Sequence, residues 1–79
     1  MHNLVSVRPE GASWLVEAER PGFPRSFASG ASAEAAAIHH AETRAAHGEP
    51  TEVRLFLRDG SLAGRFLVCS PEHRLPLAS

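Results

Sequence analysis

The stretch TEVRLFLRDGSLAGRFLV, residues 51–68, decides the fold because it holds two strands and the turn between them. Apolar and polar residues alternate on both sides of Arg58-Asp59-Gly60, and Asp-Gly is a strong signal for a two-residue type I′ hairpin turn. This turn sets the register and places three pairs on one face: Leu57–Leu62, Leu55–Gly64 and Val53–Phe66. We expect that face to be the core side, because a slip of one residue would expose every one of these side chains.

The opposite face of the same hairpin is the candidate functional face. The register points Arg54, Phe56 and Arg58 outward, opposite Arg65, Ala63 and Ser61, and it sets Glu52 opposite Leu67. Like charges directly opposite each other, such as Arg54 and Arg65, are unfavourable in isolation. The candidate residues for a ligand or an interface are therefore Arg54, Phe56, Arg58, Arg65 and Leu67.

A helix is predicted from Ala33 to His47, with Ser32 as N-cap, Glu34 in the first turn and Gly48 after the C-cap. At about 100° per residue, Ile38, Ala41 and Ala45 form the centre of its apolar stripe, flanked by Ala35 and Ala37. A stripe made mostly of methyl groups suits a close approach to a sheet.

Two earlier strands complete the predicted fold. Alternation from Leu4 to Arg8 and from Ser13 to Glu19 predicts a first hairpin around Pro9-Glu10-Gly11-Ala12, and Arg25 to Ser29 is a possible short extended piece with Phe27 inward. We predict an α+β domain, ββαββ, whose antiparallel sheet carries one helix on one face. The domain covers residues 1–69, and residues 70–79 form an irregular tail with two prolines.

Length and charge limit the function classes. The chain has 79 residues, a net charge of -1, 13 alanines, and eight basic residues that are all arginine, a usage typical of GC-rich bacterial genomes. A domain this short buries only about 60% of its unfolded surface, and its single cysteine cannot form an internal disulfide. Since oligomerisation often compensates for a small core, we expect a homodimer.

Composition also weighs against nucleic-acid duplexes and membranes as partners. Dedicated duplex-binding proteins usually carry a basic excess, which this chain lacks. There is neither an apolar run near the ~20 residues of a membrane span nor a secretory leader at the N-terminus, and a free thiol fits a reducing compartment. We expect a cytoplasmic protein with no membrane association.

No residue pattern predicts an active site, a cofactor or a metal. The chain has five histidines, but His39 and His40 diverge by about 100° around the helix and no His-x-x-x-His pair exists. One cysteine cannot build a Cys-rich zinc site. Cys69 and His73 have no orienting acid beside them, and there is no glycine-rich phosphate loop. We therefore expect a protein that is not an enzyme.

The order of several local motifs resembles a family of small bacterial proteins catalogued as a domain of unknown function. The motifs are Trp14-x-Val16, Phe27, the alanine-rich helix with Ala35, Ala36 and Ala45, then Val53 and the Arg58-Asp59-Gly60 hairpin. A second resemblance, carried by Pro21-Gly22-Phe23, Ser29-Gly30-Ala31-Ser32 and the helix, is to HicB-type antitoxins. The first implies a fold without a known activity, and the second implies a toxin as partner and frequent dimerisation.

The candidate face and the HicB resemblance lead to three functional hypotheses. Phe56 among arginines could stack bases while the guanidinium groups hold phosphates, as in weak nucleic-acid binders. Alternatively, Glu17 and Glu19 on the same face neutralise the arginines, and Phe56, Leu67, Leu15 and Leu4 form a dimer patch or ordinary surface. We expect a non-catalytic interaction module, with nucleic-acid binding and a HicB-like antitoxin role as alternatives.

Overall fold

The computed structural model describes residues 3–77, in which a mixed sheet carries one helix. The strands and the helix follow one another in this order: β1 (Asn3–Glu10), β2 (Ser13–Ala18), β3 (Arg25–Phe27), α1 (Gly30–Ala46), β4 (Thr51–Phe56), β5 (Leu62–Ser70) and β6 (His73–Pro76). Across the sheet the strand order is β3-β2-β1-β4-β5-β6. The predicted α+β class with a single helix on one face is confirmed.

The prediction of an entirely antiparallel sheet is wrong, because its two central strands, β1 and β4, are parallel. The 17 residues of α1 span about 25 Å at 1.5 Å per residue, enough to return the chain to the end of the sheet where β1 begins. There the Asn3 amide donates a hydrogen bond to the Pro50 carbonyl at 3.1 Å. The chain enters β4 beside the start of β1 and runs in the same direction.

The hairpin between β4 and β5 has the predicted register but not the predicted turn. Leu55 pairs with Gly64 and Val53 with Phe66, as expected, whereas Phe56 pairs with Leu62. Gly60 has a positive φ, whereas no residue other than glycine has one in residues 3–77. A type I′ turn needs a positive φ at Asp59 as well, so this turn type is excluded.

Two one-residue shifts in the β4–β5 pairing cancel each other, so most of the predicted register is kept although the turn differs. The turn is a three-residue loop closed by hydrogen bonds from the Leu57 amide to the Ser61 carbonyl and from the Gly60 amide to the Leu57 carbonyl. The Asp59 carboxylate accepts bonds from the Ser61 amide at 2.9 Å and its hydroxyl at 2.6 Å. This loop moves the pairing by one residue, and an irregularity between Leu55 and Phe56 moves it back. The predicted Leu57–Leu62 and Phe56–Ala63 pairs are therefore wrong.

The helix begins one turn earlier than predicted. Ser29 is the N-cap, and its hydroxyl accepts a hydrogen bond from the Ser32 amide at 3.1 Å, so Ser32 is not the cap and Glu34 lies beyond the first turn. Gly48, at φ 82°, follows the C-cap as predicted, and its amide bonds to the Ala45 carbonyl. The earlier start turns a different set of residues toward the sheet.

The buried apolar side chains of residues 3–77 are all valines and alanines. Four alanines spaced by four residues, Ala33, Ala37, Ala41 and Ala45, form the buried stripe of α1. They pack on five buried valines of the sheet, Val5, Val7, Val16, Val53 and Val68. Ile38, predicted at the centre of the stripe, is only half-buried, and Ala35 is exposed. Larger residues, including Trp14, Phe23, Phe27, Leu55 and Phe66, pack around this centre.

Both edges of the sheet are short strands. β3 pairs with β2 and places Phe27 beside Trp14, which confirms the inward position of Phe27. The segment 70–79, predicted as irregular, contains β6, which pairs with β5 and places Leu75 beside Leu67. Residues 78–79 lie outside the described part of the chain.

A larger side chain on the alanine stripe should destabilise the fold. Ala37 is fully buried, so Ala37→Leu forces the helix away from the valines, and overpacking of this kind typically costs about 1–3 kcal/mol. Ala35→Leu is the matched control on the exposed side of α1, where a substitution usually changes stability by less than about 0.5 kcal/mol. Urea unfolding of both variants measures the difference. Equal stability of the two variants would show that the helix does not depend on close approach.

Candidate functional site

The face of the sheet that α1 leaves uncovered contains three rows of side chains, each running across the strands. The pairing registers define them, with Arg8 placed beside Phe56 by continuing the β1–β4 register one residue. The first row is Leu4, Glu52, Leu67 and Leu75. The second row is Glu17, Ser6, Arg54 and Arg65. The third row is Leu15, Arg8, Phe56 and Leu62.

Glu52 is the structural centre of this face. Its side chain is only 3% exposed although it lies on the uncovered side of the sheet. Its Oε2 accepts hydrogen bonds from Arg54 Nε at 2.5 Å and Arg65 Nε at 3.0 Å. The carboxylate therefore holds together two arginines that oppose each other across β4 and β5. Leu4 and Leu67, its neighbours in the first row, flank it on both sides.

A second ion pair holds the other half of the face. Arg8 Nε donates to Glu17 Oε1 at 2.7 Å, and Arg8 also lies 3.5 Å from Glu10. The hydrogen bond from Arg8 lowers the pKa of Glu17, and the same bond raises the pKa of Arg8. The expectation that Glu17 neutralises Arg54 and Arg65 is therefore wrong, because Glu17 pairs with Arg8 and Glu52 takes that role.

The predicted cluster of three arginines around Phe56 is not formed. Arg58 turns away from Arg54 and Arg65: its guanidinium lies 5.1 Å from the centre of the Trp14 ring and donates to the Gly11 carbonyl at 3.1 Å. Trp14 belongs to the side of the sheet that packs on the core. Phe56 is half-buried and lines a shallow groove with Arg8, Pro9 and Arg58, so Arg8 and Arg58 are its basic neighbours, while Arg54 and Arg65 lie with Glu52 in the second row.

Leucines supply most of the apolar surface of the uncovered face. Leu4 and Leu75 are 40% and 44% exposed, and both belong to the first row. Leu67, Leu15, Leu62 and Phe56 are half-buried. Of the predicted candidate residues, the structure brings Arg54, Phe56, Arg65 and Leu67 together on this face, and it places Arg58 at the edge, in the groove beside Phe56, with its guanidinium against Trp14.

Sequence reasoning placed Leu4 and Leu67 on this face but missed Leu75, and it missed the roles of Glu52 and Arg8. The hairpin register alone placed Glu52 diagonally between Arg54 and Arg65, and this was a usable signal for its role. No sequence pattern predicts that β1 lies beside β4. The positions of Leu4 beside Glu52 and of Arg8 beside Phe56 therefore become visible only in the structure.

A groove of about 600 Å³ runs from this face around the ends of β1 and β2 to His40 on the helix. His40 packs edge-on against Phe23, with ring centres 4.7 Å apart. Burial, together with the positive charges of Arg44 and Arg20, lowers the pKa of His40. Glu49 accepts from both arginines, at 2.6 Å from Arg44 and 2.8 Å from Arg20, and fastens the β2–β3 connection to the end of α1.

Residues 3–77 contain no group of three or more histidine, cysteine, aspartate or glutamate side chains placed to hold a metal ion. No helix in this part of the chain is long and apolar enough to cross a membrane. Comparison with protein-family models, with curated proteins and with solved structures finds no match to this chain.

Replacing the central carboxylate should loosen the face. Glu52→Gln keeps the shape but removes the charge that holds Arg54 and Arg65, and hydrogen bonds to charged groups contribute about 1.5–3 kcal/mol. Glu17→Gln breaks the more exposed pair with Arg8, for which about 0–1 kcal/mol is typical. Urea unfolding at neutral pH ranks the two variants. A cost for Glu52→Gln no larger than that for Glu17→Gln would contradict the central role of Glu52.

Protonation of His40 should destabilise the folded chain. Its pKa is lowered on folding, so below the usual histidine pKa of about 6.5 the unfolded chain binds the proton more readily. Neutral His40 therefore contributes fully to the free energy of unfolding above that pH. The contribution is lost as the pH falls toward the lowered pKa of His40 in the folded chain. We expect less stability at about pH 5.5 than at about pH 7.5, above the range where carboxylates titrate.

The variants His40→Gln and His39→Gln separate this effect from other titrations. His39 is the exposed neighbour on the same helix, so its variant should keep the loss of stability between the two pH values. His40→Gln should reduce that loss. An unchanged pH dependence in His40→Gln would assign the effect to another group.

Proposed function

We propose that this chain is a non-catalytic protein-interaction module that forms a homodimer through the uncovered face of its sheet. The observation that carries the proposal is the set of six apolar side chains that the first and third rows place on this face. They are Leu4, Leu67, Leu75, Leu15, Phe56 and Leu62. These apolar rows lie on both sides of the charged second row, and large exposed apolar surface bordered by polar residues marks interaction sites.

The electrostatics of the face favour a protein partner. Arg54 and Arg65 are held by Glu52, and Arg8 is held by Glu17. A partner that covers the face therefore meets charged groups that already have ionic partners within the chain, which lowers the cost of desolvating them. A second copy of the chain fits this condition because its net charge is only -1.

The nucleic-acid alternative receives less support from the same contacts. Binding of phosphates relies on cations that can exchange their counterions for the nucleic-acid backbone. Here Glu52 is shared by two of the candidate arginines, and Arg58 is engaged with Trp14. Single-stranded oligonucleotides at about 50 mM salt test this alternative, since the electrostatic contribution to binding is large at low salt.

A toxin as partner, the antitoxin alternative, would use the same apolar rows. Because HicB-type antitoxins also frequently dimerise, the mass of the purified chain does not separate the two functions. A short toxin gene next to the gene for this chain would favour the antitoxin, and its absence would count against it.

A charge placed in the third row should weaken the dimer. Leu15→Asp puts a carboxylate next to Arg8, its cross-strand neighbour, so the variant retains a favourable contact within the monomer while the interface loses an apolar contact. We expect the dimer dissociation constant to rise at least about tenfold, which corresponds to about 1.4 kcal/mol. Sedimentation equilibrium over a concentration series measures it.

Leu57→Asp is the matched control. Leu57 is 51% exposed and lies outside the three rows, so this variant adds the same charge elsewhere and should dimerise like the unchanged chain. Circular dichroism establishes that both variants fold. A monomeric unchanged chain, or equal dimerisation of the two folded variants, would overturn the proposal.

A further inference from the structure

The three rows of the uncovered face form a pattern that distinguishes between possible dimer arrangements. The second row is acidic at one end, where Glu17 lies on β2, and basic at the other, where Arg54 and Arg65 lie on β4 and β5. The parallel pair of β1 and β4 lies between these ends, in the middle of the sheet. Two directions of a two-fold axis through this midline keep the strands of the two copies aligned, one along the strands and one across them, and they superpose the rows differently.

An axis along the strands brings unlike groups together. It sets β2 of one copy over β5 of its partner and β1 over the partner's β4. In the second row Glu17 then faces the partner's Arg65. In the third row Leu15 faces the partner's Leu62, and Arg8 faces the partner's Phe56, so a guanidinium lies opposite an aromatic ring, the two groups that form cation–π contacts. The second and third rows are complementary to themselves under this operation, as an isologous interface requires. In the first row Leu4 lies opposite the partner's Glu52, whose charge is already paired with Arg54 and Arg65 of its own chain.

An axis across the strands, passing through the second row, brings like groups together. Each residue of that row then faces its own copy, so Glu17 meets the partner's Glu17 and Arg54 meets the partner's Arg54. Juxtaposed like charges in an interface are strongly unfavourable. The charges thus act as specificity determinants that reject this arrangement, although the apolar rows alone would accept it.

We propose that two copies of this chain dock face to face about a two-fold axis parallel to the strands, centred between β1 and β4. This inference rests on the proposed homodimer and specifies its geometry. Glu17 and Arg65 remain 44% and 29% exposed in the single chain, so both can reach across the interface while keeping their internal partners. Face-to-face packing with nearly aligned strands is one of the two common ways in which sheets stack.

The broad face is large enough for such an interface. The molecule measures 34 × 28 × 20 Å along its principal axes, and a standard interface buries about 800 Å² on each partner. With the axis at the midline, the six strands of one copy overlie those of the other across the whole width of the sheet. The helices lie on the two outer sides of the resulting four-layer assembly.

Thiol cross-linking between two different single-cysteine variants tests the arrangement. In a Cys69→Ser background, which removes the only native thiol, one sample carries Leu15→Cys and the other Leu62→Cys. Facing backbones of stacked sheets are about 10 Å apart, a separation that a short bismaleimide spans. In the same arrangement, Leu15 and the partner's Leu15 are separated by three strand spacings. They are therefore displaced by about 14 Å across the sheet as well as by the distance between the sheets.

We expect the mixture of the two variants to form a covalent dimer, while either variant alone forms much less. Faster cross-linking of a single variant with itself than of the mixture would overturn the axis along the strands. Sedimentation of the unmodified variants distinguishes this failure from failure of the proposed function. Folded variants that are dimeric but do not cross-link contradict the arrangement only, whereas monomers at all concentrations contradict the homodimer itself.

Discussion

The structure depends on the close contact between four alanine methyl groups and a sheet of valines. Ala33, Ala37, Ala41 and Ala45 follow one another at intervals of four, so their methyl groups form a narrow stripe along the helix. Small side chains let the helix axis approach the sheet, and dispersion between closely packed atoms then compensates for the small area that each residue buries. Trp14, Phe27 and Phe66 extend the contact at the margins of this centre.

The helix covers one face of the sheet, so the small core cannot stabilise the side chains on the other face. Glu52 shows how the chain stabilises that face: one carboxylate, almost inaccessible to solvent, joins the two arginines that the hairpin register forces opposite each other. A buried carboxylate is costly unless it is paired and hydrogen-bonded, so the cluster fixes both guanidinium groups in place. This turns a repulsive pair of arginines into an ordered part of the surface between rows of leucine.

The sequence predicts features that depend on neighbours along the chain. The apolar positions of β1, β2, β4 and β5, the hairpin register around Gly60 and the helix end at Gly48 all follow from local periodicity and turn chemistry. The parallel pairing of β1 with β4 does not, because it joins segments separated by β2, β3 and α1. The positions of Leu4 beside Glu52 and of Arg8 beside Phe56 therefore come from the topology, and the Arg58 guanidinium contacts the Trp14 ring instead of joining Arg54 and Arg65.

The parallel pair in the middle of the sheet also bears on how the chain folds. The hairpins β1–β2 and β4–β5 join residues close in sequence, so each can form early and independently. The contact that unites them, between Asn3 and Thr51 and the residues that follow, closes a loop containing most of the domain, and the entropy of closing it must be overcome before the pairing stabilises anything. During synthesis the first hairpin emerges well before its central partner strand exists, and its Val5 and Val7 remain without that partner until β4 has been made.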